Sequence, residues 1–213
     1  MNLFRKSKPE PKVFCIGCNK TGTTSIETAL RDFGYKMGNQ EEGEKLIDNY
    51  LMRDFSSIID YCKTAEAFQD IPFSFHYTFM AIDQAFPNAK FILTFRDSEE
   101  QWYNSLVKFH FKIFKKNRIP TYKDVLENSY RYPGFMWKVR NKVFGIEPEM
   151  DMYDKQTWTN YYNEHNKMVR EYFKLKNNLL EINLSDKKSY LKLAQFLNKK
   201  PLYEEFPWEN KSH

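Results

Sequence analysis

Residues 13–33 read VFCIGCNKTGTTSIETALRDF, and the order of residue types in this stretch decides how the rest of the chain is read. VFCIG (13–17) is a short run of apolar, β-branched and aromatic residues, the composition of a buried strand. Gly17-Cys18-Asn19-Lys20-Thr21-Gly22-Thr23-Thr24 follows, and from Thr23 to Phe33 the pattern turns helical. The chain has only seven glycines, and two of them fall within the six positions 17–22. A helix start surrounded by Gly, Thr and Lys offers free backbone N–H groups, the positive end of a helix dipole, hydroxyls and one cation. Together these make a cradle for a phosphate or sulfate. A tight turn capped by threonine would account for Gly22 and Thr23 but not for Lys20 or for three threonines. In the nucleoside-triphosphate loop G-x-x-x-x-G-K-[ST] the lysine follows the second glycine. Here it precedes that glycine by two residues, which weakens a triphosphatase reading.

Working outward, KFILTF (90–95) is a second apolar run followed by a polar turn and a helical pattern, and AEAFQ (65–69) and LLEIN (179–183) are weaker strand candidates. Helical patterns run over 23–33, 41–60 with a break, 75–86, 98–116, 122–130, 135–143, 155–175 and 185–198. Ser98-Glu99-Glu100-Gln101 has the form of a capping box and fixes one helix start directly after KFILTF. Strand, short turn and helix in repetition predict an α/β fold, a three-layer sandwich with a central parallel sheet of about four to five strands and helices on both faces. Ligands in such sheets sit beyond the carboxyl ends of the strands, so the search narrows to the residues after Ile16, Gln69 and Phe95.

With 41% hydrophobic and 17% aromatic residues the chain has enough apolar surface for a full core, which excludes a disordered tail. No internal repeat or linker divides it, so one domain over 1–213 is expected, with 1–12 flexible. No stretch approaches the roughly 18 apolar residues of a membrane span, and the N-terminus lacks the apolar run of a secretory signal, so a cytoplasmic protein is expected. The net charge of +5 suits an anionic ligand but falls short of the basic stripe of a nucleic-acid protein, and no nucleic-acid partner is expected. Cys15, Cys18 and Cys62 cannot make a disulfide framework, and the C-x-x-C of Cys15 and Cys18 has no second pair or nearby His to make a metal site.

The loop Gly17-x-x-Lys20-Thr21-Gly22-Thr23-Thr24 resembles the 5′-phosphosulfate loop of sulfotransferases that use 3′-phosphoadenosine 5′-phosphosulfate (PAPS) as donor and release 3′-phosphoadenosine 5′-phosphate (PAP). FILTFRDSEEQWYNSL (91–106) resembles the same family's 3′-phosphate element, an arginine at a strand end with a serine about eight residues on. Arg96 fits the arginine. Asn104 stands eight residues later and Ser105 nine; Ser105 is the choice, with Asn104 and Ser98 as alternatives. The likeness extends to Asp70-Ile71-Pro72, to FPNAKFILTFRD (86–97) and to Phe206-Pro207-Trp208-Glu209-Asn210, and so spans most of 13–210. The C-terminal Arg-Lys-Gly clamp of the best-known cytosolic members is missing, leaving Trp208, Asn210 and Lys211 as substitutes at the nucleotide.

The resemblance implies a P-loop nucleotide-binding type of fold and sulfuryl transfer by in-line displacement. Gly17, Asn19, Lys20, Thr21, Gly22, Thr23, Thr24, Arg96, Ser105, Trp208 and Asn210 would hold the donor, and no metal would be required. Charge builds on the leaving phosphate oxygen, where Lys20 and the Thr21–Thr24 amides and hydroxyls would neutralise it. The acceptor, a small molecule, lipid or carbohydrate, must lose a proton to a base. Asp70, at the end of the second strand, is the first candidate, with capping of the turn before Pro72 as its competing role, and His76 is the second. His110 and His165 lie among aromatics on helical faces and read chiefly as packing residues. Lys108, Lys112, Lys115, Lys116 and Arg118 recur at helical spacing as a solvated face that would at most steer an anion. The helical part 98–175 is expected to shape the acceptor pocket. A kinase with an atypical phosphate loop and a non-catalytic nucleotide-binding module are the rival readings.

Overall fold

The computed structural model describes residues 10–115 and 118–206. Four strands, β1 (Val13–Cys15), β2 (Ala67–Phe68), β3 (Lys90–Phe95) and β4 (Leu179–Asn183), form one all-parallel sheet in the order β2-β1-β3-β4. Phe14 pairs with Phe68 on one side and Phe91 on the other, and Ile92 pairs with Leu180. Around the sheet lie α1 (Thr23–Asp32), α2 (Gln40–Lys45), α3 (Ile47–Leu51), α4 (Phe55–Tyr61), α5 (Thr78–Ala85), α6 (Glu99–Phe114), α7 (Tyr122–Glu127), α8 (Phe135–Phe144), α9 (Lys155–Phe173) and α10 (Ser189–Leu197). The architecture is the expected α/β sandwich. Among the described residues no helix is long and apolar enough to cross a membrane.

Alternation along the strands makes the three layers. Val13, Cys15, Ile92 and Ile182 point to one face, where α1 and α10 cover them with Ile26, Leu30, Tyr190 and Leu193. Phe14, Phe68, Phe91 and Leu93 point to the other, against Phe79, Trp102, Trp158 and Phe173 from α5, α6 and α9. Phe14 lies at the centre of that second layer, its ring 5.3 Å from Phe68 and 5.6 Å from Phe91. Burying a side chain of this size contributes about 1.5–3 kcal/mol, so a strand of three residues suffices when each is fully covered.

Local chemistry moves several expected boundaries. The single broken helix over 41–60 is three short helices, because the side chains of Asn39 and Asp54 each take N–H groups and start a new one. The helix expected from 75 begins at Thr78. Residues 71–77 are turns that open on a cis Ile71–Pro72 bond, and Asp70 and Tyr77 are both in the left-handed region. The last helix begins at Ser189 rather than 185, since Asn183 Oδ1 and Asp186 Oδ1 accept the N–H groups of Ser185 and Lys188 and hold that stretch in turns.

This strand order places the chemistry. From β1 the chain goes outward to β2 on one side and, later, to β3 on the other, so the loops after β1 and β3 leave the sheet side by side and open a crevice between them. Those two loops begin at Ile16 and Arg96.

Candidate functional site

A cavity of about 550 Å³ opens at the carboxyl end of the sheet. That volume lies in the range of roughly 300–1,000 Å³ typical of small-molecule sites. The ends of β1, β2 and β3 line one side of it with Asn19, Lys20, Thr23, Thr24, Asp70 and Arg96, and α6, α8 and α9 line the other.

The loop after β1 is shaped by its own carbonyls. His165 Nε2 donates to Ile16 O at 2.7 Å, Thr21 Oγ1 to Cys18 O at 2.5 Å, Trp102 Nε1 to Asn19 O at 2.9 Å and Arg96 Nε to Lys20 O at 2.8 Å. A carbonyl only accepts, so His165 carries its proton on Nε2, and its buried Nδ1 is left without a partner. Burial pushes this imidazole down to about 4, which keeps it neutral. With four carbonyls held by side chains, the loop runs into α1, whose first turn has neither a side-chain cap nor an acidic residue. Those first-turn N–H groups have no intrahelical partner and suit an anion.

The residues expected to cradle the anion divide in two. Lys20, Thr23, Thr24 and Asn19 reach the cavity, whereas Gly17, Thr21 and Gly22 do not line it. Thr21 is fully buried. Its hydroxyl proton goes to Cys18 O, so Thr94 Oγ1 donates to Thr21 Oγ1 at 2.5 Å and the hydroxyl is spent inside the protein. Gly17 is there because β3 passes so close that a Cβ would lie 2.2 Å from Thr94 Oγ1. Gly22 has φ 104, a conformation few other residues adopt, and faces Leu184.

Lys20 also has positive φ, 66°, which throws its side chain into the cavity, where Nζ sits 3.3 Å from the centroid of the Phe109 ring. No carboxylate lies within ion-pair distance of it among the described residues. Burial lowers its pKa, the Asp70 charge opposes that, and Arg96 and Lys112 add to the lowering. Arg96, at the end of β3, is anchored by its backbone N–H to Tyr162 Oη at 2.9 Å and by Nε to Lys20 O. The ion pair with Asp97 or Glu99 that would explain Arg96 without a ligand is not formed, since Asp97 Oδ1 is taken by Asn183 and Ser185 and Glu99 by Asn163. Ser105 lines the cavity, Asn104 is exposed outside it, and Ser98 caps α6 by accepting from Gln101 N at 3.1 Å.

Asp70 follows β2 and faces Lys20 and Arg96 across the cavity. Its Oδ1 accepts from Ile71 N at 2.9 Å, so the turn-capping role is real, and Oδ2 accepts weakly from Gln40 Nε2 at 3.3 Å. Burial first, and the Glu44 carboxylate second, raise its pKa to about 6. Glu44 is itself held by Arg131 and by Gln40 Nε2 at 2.7 Å. His76 is not brought to the cavity. It lies in the turn before α5, its ring stacked 4.1 Å from that of Tyr161 and 5.4 Å from that of His165, with Nε2 buried and unpartnered. Burial lowers its pKa. Trp208 and Asn210, with Lys211 and Lys116, lie outside the described residues. Cys15 and Cys18 are buried, and burial pushes both thiols up.

Several cavity residues were not singled out as site residues from sequence. Gln40 and Glu44 sit in the polar run QEEGEK, which carries no signal. Arg140 had one, being a cation on the apolar stripe Phe135, Met136, Val139 of α8. His110, read as packing, is a wall residue of the cavity as well. Exposed Lys108 and Lys112 line its mouth.

A family model described as a sulfotransferase domain matches residues 12–213. No curated protein matches the chain.

Proposed function

The chain belongs to the sulfotransferase domain family, and from that premise we propose that it moves a sulfuryl group from PAPS to a hydroxyl or amine of an acceptor by in-line displacement. One observation carries the donor half of this reading. Lys20, Arg96 and the uncapped start of α1 converge on one cavity, and neither cation has a carboxylate partner among the described residues. Two half-buried cations, neither ion-paired to a carboxylate among the described residues, beside a free helix N-terminus fit a ligand carrying phosphates at two ends of one nucleoside.

PAPS would supply the sulfuryl group and a phosphate leaving group. The first-turn N–H groups of α1 and the Thr23 and Thr24 hydroxyls would bind the 5′ end, and Arg96 with Ser105 the 3′-phosphate. Lys20 would stabilise negative charge on the leaving oxygen, and its cavity-facing position away from bulk water makes that charge count for more. Asp70 would take the acceptor's proton. A carboxylate with a pKa near 6 is ionised at neutral pH, yet more basic than an exposed one, as a general base requires. His76, sequestered behind Tyr161, serves this reading as a packing residue. Helices α6, α8 and α9 would wall the acceptor side.

Calorimetric titration with PAP, beside ATP with and without Mg²⁺, tests the reading. Micromolar binding of PAP without metal is expected, weakened about tenfold to hundredfold in Arg96→Ala, the span of a lost charged hydrogen-bonding group. Preferential binding of Mg²⁺–ATP would instead support a kinase. PAP binding without turnover on any acceptor would support a non-catalytic module.

A further inference from the structure

Arg140, on α8, is 2 % exposed, and the space it borders is the cavity. No carboxylate lies within ion-pair distance of it among the described residues. Its guanidinium donates through Nη1 to Met136 O at 3.3 Å and through Nη2 to Tyr153 Oη at 3.1 Å and His110 Nδ1 at 3.0 Å, while Nε is buried with no partner. The rings of Phe114, Tyr153 and Trp158 surround it at 5.6, 5.5 and 5.7 Å. Cation–π contacts offset only part of the cost of burying an unpaired charge, so the cage leaves the charge undercompensated.

His110 completes the picture. A guanidinium only donates, so His110 Nδ1 is the acceptor and its proton sits on Nε2. Among the described residues nothing accepts from that Nε2–H, and the ring lines the same cavity. Burial, with Arg140 and Lys20 adding to it, holds the imidazole neutral. The helical end of the cavity thus presents a permanent cation and an N–H donor, set among aromatic rings, with no carboxylate paired to either among the described residues.

We propose that Arg140 and His110 form an anion subsite for the acceptor, which is therefore an organic acid: an apolar, hydroxyl-bearing body with a carboxylate, whose charge would answer the guanidinium and whose oxygen would accept from the His110 Nε2–H. The inference rests on the sulfuryl-transfer reading, under which the strand-end cations are occupied by the donor and Arg140 is left for the acceptor.

The probes are 4-hydroxybenzoate, 4-hydroxyphenylacetate and 3-(4-hydroxyphenyl)propanoate, each beside its own amide, titrated into the whole protein with and without saturating PAP. At least one acid is expected to bind tighter than its amide by about tenfold or more, the weight of one charged hydrogen-bonding group, and Arg140→Met should erase that preference while PAP affinity stays unchanged. If Arg140→Met does not fold, Arg140→Lys takes its place and should shrink the preference without weakening PAP. The proposal is overturned if no acid outbinds its amide, if the preference survives the substitution, or if the substitution weakens PAP instead, which would assign Arg140 to the donor. Failure of the unsubstituted protein to bind PAP would sink the donor reading by itself, since the acid preference is measured without PAP as well.

Discussion

The two walls of the cavity are built on different principles. At the strand ends, hydrogen bonds set the shape: four carbonyls of the loop after β1 are tied to His165, Thr21, Trp102 and Arg96, and Gly17 lets β1 and β3 approach within contact of Thr94. On the helical side, aromatic packing sets it, with the Phe144 ring tilted against Trp158 at 4.3 Å and edge-on to Tyr161 at 4.5 Å, and Arg140 caged among rings. A hydrogen-bonded wall fixes atoms but accepts little change. A packed wall keeps volume and can accept other side chains of similar size. Under the proposed sulfuryl transfer, the strand-end wall would serve a donor that never varies and the helical wall an acceptor that can.

The sharpest way to break this contrast is Asp70→Asn, which keeps the shape of the strand-end wall and removes its base. If Asp70 is the base, kcat should fall about 10²–10⁴-fold, and the rise in activity through pH 6 seen with the unsubstituted protein should vanish from the pH profile. Stability should move the other way. Folding raises this carboxyl from 3.8 to about 6, so the folded state holds the extra proton between those values and stability falls as pH rises through that window. Asparagine avoids the cost above pH 6, by at most about 3 kcal/mol and less to the extent that solvent reaches the half-buried carboxylate. Urea unfolding at pH 4 and pH 7.5 measures it. Near-normal turnover in this variant would remove Asp70 from the mechanism.

Lys20→Met comes next, with kcat lower by about 10²–10³-fold, the usual effect of removing one group that stabilises transition-state charge. Single-turnover rates at saturating donor would separate that loss from weaker binding. A third pair of variants compares the walls directly. Gly17→Ala should cost about 1–3 kcal/mol or more, because its Cβ meets Thr94 Oγ1 at 2.2 Å, whereas Phe144→Leu on the helical side should cost less than about 1.5 kcal/mol by chemical denaturation. Equal costs would erase the distinction. Smallest is Thr21→Val, which should lose about 1 kcal/mol of stability with PAP affinity unchanged, since that hydroxyl serves Cys18 O and Thr94 rather than the cavity.

The same contrast explains what could be read in advance. The strand-end wall is local in sequence: Gly17, Lys20, Gly22 and Thr23 declare a strand–loop–helix turn within a few residues, and Arg96 follows its strand at once. Even there, residue type did not reveal direction. Thr21 and Gly17 belong to the motif and yet face β3, and His76 packs behind Tyr161 because a turn, not a helix, leads into α5. The choice among Ser98, Asn104 and Ser105 turned on helix phase, which carries Ser105 to the cavity and Asn104 to solvent once Ser98 has capped α6. The helical wall joins His110, Arg140 and Trp158, from three helices far apart in sequence, and periodicity alone marks such residues only as core.

Sequence alone determined the α/β class, the parallel sheet and the strand–loop–helix turn after β1, since strand alternation, helix spacing and the conformational freedom of glycine act over neighbouring residues. Tertiary structure alone decided which hydroxyls stay available, that Asp70 is buried enough to become a stronger base, and that Arg140 lacks a counter-charge. Each of these depends on what desolvates or pairs a group, and the partners come from distant parts of the chain.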